Sequence, residues 1–201
     1  MQHLLLQAQA WWDAQRFDQP MWQVAEWRDQ KVRHIQLHVA KALGKVVAAY
    51  GPNGAGPLGA SERAASGKAP MTRVRDDVLP DVAIYRSQLL NLFPEVYTPS
   101  SLSHRSASAG VQEGEPLLRV VLGLSRASAQ LAAYLEPREH GAASPVSHIQ
   151  EAIEDLQASA AALAAVCAVD LARAHQARLE ALLGAPLPAS LVAEGKPSLG
   201  T

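Results

Sequence analysis

The sequence predicts an all-α protein with a four-helix core of two helical hairpins plus an N-terminal helix. Alanine and other helix-forming residues dominate the 201-residue chain, and strand-like alternation of apolar and polar residues is absent over any useful length. Apolar residues recur instead with the 3.6-residue period of amphipathic helices. Four segments show this period and are the predicted core helices: residues 28–50, 77–93, 117–135 and 149–166.

Turn and breaker residues set the predicted helix boundaries. A run of glycine, proline and asparagine from Gly51 to Pro57 ends the second helix, and Glu136-Pro137 ends the fourth. The last helical segment has a predicted break near Val169 and Asp170. The predicted helices span residues 2–17, 21–50, 76–93, 117–135 and 147–183.

The two halves of the chain resemble each other. Residues 34–50 match residues 118–134 in their apolar positions and in a closing Ala-Ala-Tyr, and each segment is followed by a loop and an acidic helix start. This pattern indicates a repeated helical hairpin over 30–96 and 115–183. Chance similarity in an Ala/Leu-rich chain is the other interpretation.

The length of the chain predicts one all-α domain over residues 1–184, followed by a flexible C-terminal tail over 185–201. Two connections, 53–70 and 99–114, consist of small and polar residues that bury little apolar area. We expect them to be poorly ordered or to pack as surface loops.

Composition excludes several functional classes. The net charge of −1 and pI near 6.7 argue against a general nucleic-acid binder. No apolar run approaches the ~18 residues that a membrane span needs, and no signal peptide is recognisable. The single cysteine, Cys167, lies in an apolar run, which predicts a buried thiol in a reducing compartment. We therefore expect a cytoplasmic protein that does not bind membranes.

The second helix carries one stripe of basic residues, here called the cationic stripe. At 100° per residue these side chains fall within one arc of roughly 80°. The other sides of the helix are mostly apolar and are predicted to be buried, so the stripe has to meet solvent, an acidic partner or a ligand. The cationic stripe consists of Lys31, His34, His38, Lys41 and Lys45.

Three roles are open for the two lysines that end this stripe. Lys41 and Lys45 pair with Asp77 and Asp81 across the hairpin, contact a phosphate group directly, or belong to a solvated polar face. The aspartates also lie in the first turns of a predicted helix, where the helix dipole favours negative charge.

Histidines offer a second chemistry. His34 and His38 are four residues apart on one helix face, a spacing that places two imidazoles on one metal, with Asp81 or Asp77 as a third ligand. The flanking lysines oppose a cation there. The other histidines are expected in loops or on the surface: His104, His140, His148 and His175.

All four tryptophans lie within the first 27 residues. Such residues anchor cores and interfaces. Either the N-terminal helix closes the bundle, or this region contacts a protein partner or a second copy of the chain. The tryptophans are Trp11, Trp12, Trp22 and Trp27.

Two segments resemble the motif helices of the MazG-like all-α nucleoside triphosphate pyrophosphohydrolase superfamily. They are residues 38–46, with a glycine in the family's place, and residues 81–85; the resemblance covers about residues 21–93. In that family a Glu-Glu-x-x-Glu helix and a following Glu-x-x-Asp helix hold Mg²⁺, which orients a nucleoside triphosphate for attack by water. The resemblance implies the same all-α fold here.

The carboxylates of the family are mostly replaced. The three glutamate positions of the first motif are Lys41, Ala42 and Lys45, and the glutamate of the second is Val78, which leaves Asp81. Ammonium groups at ligand positions repel Mg²⁺. The resemblance therefore implies a non-catalytic relative, a pseudoenzyme without a cofactor, which binds a partner or an anionic ligand.

Two alternatives stay open. One is an active, Mg²⁺-dependent nucleotide pyrophosphohydrolase with rearranged ligands, and the other is a helical interaction protein unrelated to that superfamily. The candidate ligand-binding residues are Lys41, Lys45, His34, His38, Asp77 and Asp81, and the candidate metal ligands among them are His34, His38 and Asp81.

Overall fold

The computed structural model describes residues 2–17, 25–50, 70–96 and 115–188. Those ranges contain helices and their connections and no strand, so the all-α prediction is confirmed. A 3₁₀ turn, Pro94–Val96, follows the third helix. The helices are α1 (Gln2–Phe17), α2 (Ala25–Tyr50), α3 (Pro70–Arg73, Val74–Val78 and Leu79–Leu92 in succession), α4 (Glu115–Glu139), α5 (Ser147–Cys167) and α6 (Leu171–Leu183).

Helix α3 begins earlier than predicted and contains a π-helical turn. The turn covers Val74–Val78, and the N–H of Leu79 donates to the carbonyl of Val74, five residues back. Pro80 explains this geometry, because proline has no N–H and its ring clashes with the carbonyl four residues before it. A wider turn relieves that clash and lets the helix continue.

Helix α4 continues through Pro137, so the predicted end at Glu136-Pro137 is wrong. Proline removes only one donor so close to a helix end. The last carbonyls are satisfied by the following turn, in which the Ala142 N–H donates to Pro137 O at 2.9 Å. Arg138 Nε also donates to both carboxylate oxygens of Asp29 in α2, at 2.6 and 2.7 Å, which holds the last turn in place.

The predicted break near Val169 and Asp170 is confirmed. Ala168 adopts a left-handed conformation (φ 51°) after α5, and the Asp170 carboxylate caps α6 by accepting from the Arg173 N–H at 2.8 Å. The two helices meet at 97°. Within the described ranges no single helix is long and apolar enough to cross a membrane, although this bent pair meets the length and composition criteria together.

The helices pack in an order that differs from two equal hairpins. Helix α4 packs closely against both α2 and α5, and α3, taken over its three segments, packs against α2, α5 and α6. Helix α2 makes more contact with α4 than with α3, so the hairpin expected over 30–96 is not the main packing of α2. One cluster of buried side chains from α2 to α5 forms the main core. A cleft lies between α2 and α3.

Helix α2 is less buried than its sequence suggests. Val32, Ile35, Val39 and Val46 are fully buried in the core, but Leu37 is 62 % exposed. An apolar side chain alone does not decide burial, because much of a protein surface is apolar.

Helices α1 and α6 cover the outer face of α3 with a second, smaller apolar cluster. Its buried members include Trp12, Ile84 and Leu187. Leu187 lies in the segment predicted to be a flexible tail, so packed structure extends beyond residue 184. Trp22, residues 189–201 and, apart from residue 70, the connections predicted at 53–70 and 99–114 lie outside the described residues.

The α4–α5 contact depends on Gly123. A Cβ atom there would lie 2.3 Å from the Oγ of Ser159, a buried hydroxyl that has no hydrogen-bond partner within the described chain. Gly123→Ala should therefore lower the free energy of unfolding by about 1–3 kcal/mol in chemical denaturation. The added Ser159→Ala substitution should restore most of this loss because it removes the clashing oxygen.

Gly44→Ala in α2 is the matched control. A Cβ at Gly44 meets nothing within 4 Å, so this substitution should stabilise the protein by up to ~1 kcal/mol through helix propensity. Equal effects of the two glycine substitutions would contradict a close approach at Gly123.

Candidate functional site

The cleft between α2 and α3 has a volume of about 340 Å³. Helix α2 supplies one wall and α3 the other, and residues of α1 and α6 complete the lining. The lining residues are Trp12, Lys31, His34, His38, Lys41, Ala42, Lys45, Val78, Asp81, Ile84, Tyr85, Gln88, Arg178 and Leu182. The whole cationic stripe of α2 thus faces this cleft.

The structure brings the six candidate ligand-binding residues together. His34, His38, Lys41, Lys45 and Asp81 all line the cleft. Asp77 lies one turn before Asp81 on α3 and is linked to the cleft through Arg178, at 3.7 Å. Spacing along the two helices explains this convergence, since residues three and four apart share one helix face.

The predicted ion pairs between α2 and α3 are not formed. Arg178 of α6 pairs with both aspartates instead. Its Nε donates to Asp81 Oδ1 at 2.9 Å, and its guanidinium lies 3.7 Å from the Asp77 carboxylate. Within the described residues, Lys41 and Lys45 have no carboxylate within 4.0 Å. The guanidinium fork satisfies two carboxylates from one side, which a lysine cannot do.

The lysines are consequently crowded by other cations. Burial lowers the pKa of Lys45, the Arg73 and Lys41 charges lower it further, and Asp81 and Asp77 oppose the shift. Burial also lowers the pKa of His34 and of His38, as do the lysines beside them. An anion in the cleft would relieve this repulsion.

His38 is hydrogen-bonded to Tyr85. The Tyr85 hydroxyl lies 3.0 Å from His38 Nδ1, and the His34 and His38 rings are 4.3 Å apart. Burial and the Asp81 charge raise the pKa of Tyr85, so the tyrosine stays protonated and donates to a neutral His38.

The structure does not form the predicted two-histidine, one-carboxylate metal site. Among the residues described, no group of three His, Cys, Asp or Glu side chains is placed to hold a metal ion, and this includes His34, His38 and Asp81.

A chain of buried polar side chains lies behind the inner end of the cleft and is called here the inner polar network. Its members are Gln9, Asp13, Gln88 and His175. Gln88 Nε2 and Gln9 Nε2 donate to Asp13 Oδ1 at 2.7 and 3.2 Å, and His175 Nε2 lies 3.3 Å from Gln9 Oε1. Each of the four side chains thereby has at least one hydrogen-bond partner.

Burial shifts the pKa values of three ionisable groups in this region. Lys31 is only 4 % exposed; burial lowers the pKa of its amine, against the opposing attraction of Asp13. Burial raises the pKa of Asp13, and Lys31 opposes that shift. His175 was expected in a loop or on the surface, which is wrong: it is buried on α6, and burial lowers its pKa to about 4.

Sequence reasoning missed the contributions of α1, α6 and the rest of α3. Val78, Asp81, Tyr85 and Gln88 are spaced three, four and three residues apart, as are the members of the cationic stripe. That spacing identifies one face of α3 and could have located the cleft wall. Nothing in the sequence places Arg178 opposite Asp81.

Comparison of the chain with protein-family models, with characterised proteins and with solved structures found no match. Any functional conclusion therefore rests on the cleft and its residues.

The buried His175 should make stability depend on pH. Its pKa falls from 6.5 in the unfolded chain to about 4 in the folded one, so the unfolded chain binds more protons between these values. Stability from this residue is present above pH 6.5 and is lost as the pH falls towards 4. The loss is about 3 kcal/mol.

His175→Gln keeps a hydrogen-bonding side chain but does not titrate. Between pH 7 and pH 4, urea unfolding should show the wild type losing about 3 kcal/mol more than this variant. Gly44→Ala, which changes no titratable side chain, is the control and should keep the wild-type slope. Parallel curves for wild type and His175→Gln would show that His175 does not titrate as a buried group.

The ion pairs should be separable by double-mutant cycles. Arg178→Met combined with Asp81→Asn should show a coupling energy of about 1 kcal/mol, because the side chains are only 26 % and 19 % exposed. The matched cycle of Lys45→Met with Asp81→Asn should give a coupling close to zero. A larger coupling energy in the lysine cycle would show that Lys45, and not Arg178, is the main ion-pair partner of Asp81.

Proposed function

We propose that this protein is a divergent, non-catalytic member of the MazG-like superfamily that binds a small phosphorylated ligand in the cleft between α2 and α3. Lysine side chains contact the phosphate groups directly, where the enzymes of that family use Mg²⁺. The protein is then a pseudoenzyme with a binding function.

One observation carries this proposal. The motif positions of the family correspond here to Lys41, Ala42, Lys45, Val78 and Asp81, and all five line the same cleft. The motif positions follow from the sequence alone, and the cleft is a feature of the fold. Their convergence supports a common architecture, and the residues found there support a change of chemistry.

The residues at these positions do not fit Mg²⁺. This ion takes hard oxygen ligands in octahedral geometry, usually including one or more carboxylates. Here two of the five side chains are cationic and two are aliphatic, and the remaining carboxylate, Asp81, is engaged by Arg178. No metal-dependent step follows from such a donor set.

The same residues fit an anion. Three of the five lysines of the chain line the cleft, together with Arg178, and a single carboxylate, Asp81, faces them. Lys41 and Lys45 have no ion-pair partner within the described residues, so their charges are available to a ligand. A volume of about 340 Å³ falls in the range of small-molecule sites.

Isothermal titration calorimetry with ATP and with inorganic tripolyphosphate, in EDTA, tests the proposal. Both should bind without Mg²⁺, and binding should weaken as the salt concentration rises. Lys41→Ala with Lys45→Ala should weaken binding at least ~100-fold, because each of the two charged contacts contributes about 1.5–3 kcal/mol. Arg33→Ala removes a cation from the same helix outside the cleft and should have no effect.

Other outcomes would favour the alternatives. Mg²⁺-dependent pyrophosphate release that is abolished by Asp81→Ala would identify an active pyrophosphohydrolase. Absence of binding by either probe would favour an interaction protein that contacts a partner through its tryptophans. That role is less well supported, because Trp12 is buried in the cleft wall. Cytoplasmic location remains a prediction.

A further inference from the structure

In the inner polar network each side chain has a defined role as hydrogen-bond donor or acceptor. His175 is neutral, and with Gln9 Oε1 as its acceptor its Nε2 carries the proton. The Gln9 amide nitrogen therefore points at Asp13 Oδ1, which accepts from Gln88 Nε2 as well. Both amide groups thus present their nitrogen to Asp13, whose Oδ1 accepts from each.

This arrangement leaves one acceptor facing the cleft. Gln88 lines the cleft, and its nitrogen is held by Asp13 at 2.7 Å. Its Oε1 makes no hydrogen bond within the described chain and is not among the polar atoms sealed from solvent. Gln88 is only 4 % exposed, so this oxygen is a fixed acceptor on the cleft wall and not a mobile surface group.

The cleft has two chemically different ends. Its inner end combines Trp12, Ile84 and Gln88, an aromatic and aliphatic wall with one polar atom. Its outer end carries Lys41 and Lys45, which lie ten and fourteen residues beyond Lys31 on α2. The helical rise separates Lys31 from Lys41 by about 15 Å, and Lys31 lies at the inner end because its charge interacts with Asp13, the partner of Gln88.

We propose that Gln88 determines specificity, its side-chain oxygen accepting a hydrogen bond from an N–H group on a planar ring bound beside Trp12. The ligand is then a phosphorylated molecule whose ring bears an N–H donor, with its phosphate groups at Lys41 and Lys45. Asp13 is a positioning residue, because it fixes the direction of the Gln88 amide. This inference rests on the proposed binding of a phosphorylated ligand.

Two nucleotides that differ in one amino group test the role of Gln88. ATP carries the 6-amino donor, and purine riboside 5′-triphosphate lacks it. Calorimetry in EDTA should show ATP binding about tenfold more tightly to the wild type, which corresponds to one net hydrogen bond. Gln88→Leu should abolish this preference while leaving tripolyphosphate binding unchanged, which shows that the variant is folded.

Asp13→Asn tests the positioning role. An asparagine offers both a donor and an acceptor, so the Gln88 amide is free to turn and the preference for ATP should fall towards unity. Tripolyphosphate should still bind, at the wild-type affinity or more tightly. Gln150→Leu on the exposed face of α5 is the matched control and should retain the tenfold preference.

The outcomes separate the two proposals. Equal affinities of the wild type for both nucleotides, with tripolyphosphate bound normally, would overturn the role of Gln88 and leave the binding function intact. A preference that persists in Gln88→Leu would also overturn it. Failure of all three probes to bind would overturn the binding function, and the specificity proposal with it.

Discussion

Repulsion between the positive charges on one face of α2 is the constraint on which this structure depends. Helix α2 has an apolar face that joins the main core and a cationic face on which Lys41 and Lys45 lie one turn apart. Desolvating such charges without partners is costly, so this face lines a cleft and does not join the core. The cleft is a consequence of charge placement as much as of shape.

Arg178 neutralises the negative charges on the facing helix, α3. Asp77 and Asp81 on one helix face would repel each other and would attract the lysines of α2, which would draw the two walls together. The guanidinium of α6 neutralises them from outside the bundle. Lys41 and Lys45 then have no carboxylate within 4.0 Å among the described residues. Arg178 on α6 thus pairs with the aspartates of α3 in place of the lysines of α2.

Local sequence patterns predicted most of the fold. Helical periodicity and breakers located the helices and the break at Asp170, since these depend on neighbouring residues. The continuation of α4 through Pro137 escaped prediction, because an ion pair with Asp29 in another helix stabilises that turn. The six candidate residues were found because they lie on two helix faces at regular spacing. Asp13 and Arg178 were missed because their roles arise from the docking of α1 and α6, which leaves no periodic signal. Gln88 was missed although its spacing from Val78, Asp81 and Tyr85 places it on the same face of α3.

The small apolar cluster of α1 and α6 also gives these two helices a lower free energy of opening than the main core. These two helices rest on α3 through Trp12, Ile84, Leu179 and Leu187, apart from most of the main core. Their detachment exposes far less apolar surface than global unfolding, so they form a subglobal opening unit of lower free energy. Amide hydrogens of α1 and α6 then exchange before those of α4 and α5. A molecule that contacts only α2 and Gln88 on α3 would leave this opening free energy unchanged. A molecule that also contacts Trp12 on α1 or Arg178 on α6 would raise it. The amide exchange rates of α1 and α6 would therefore show which helices the molecule contacts.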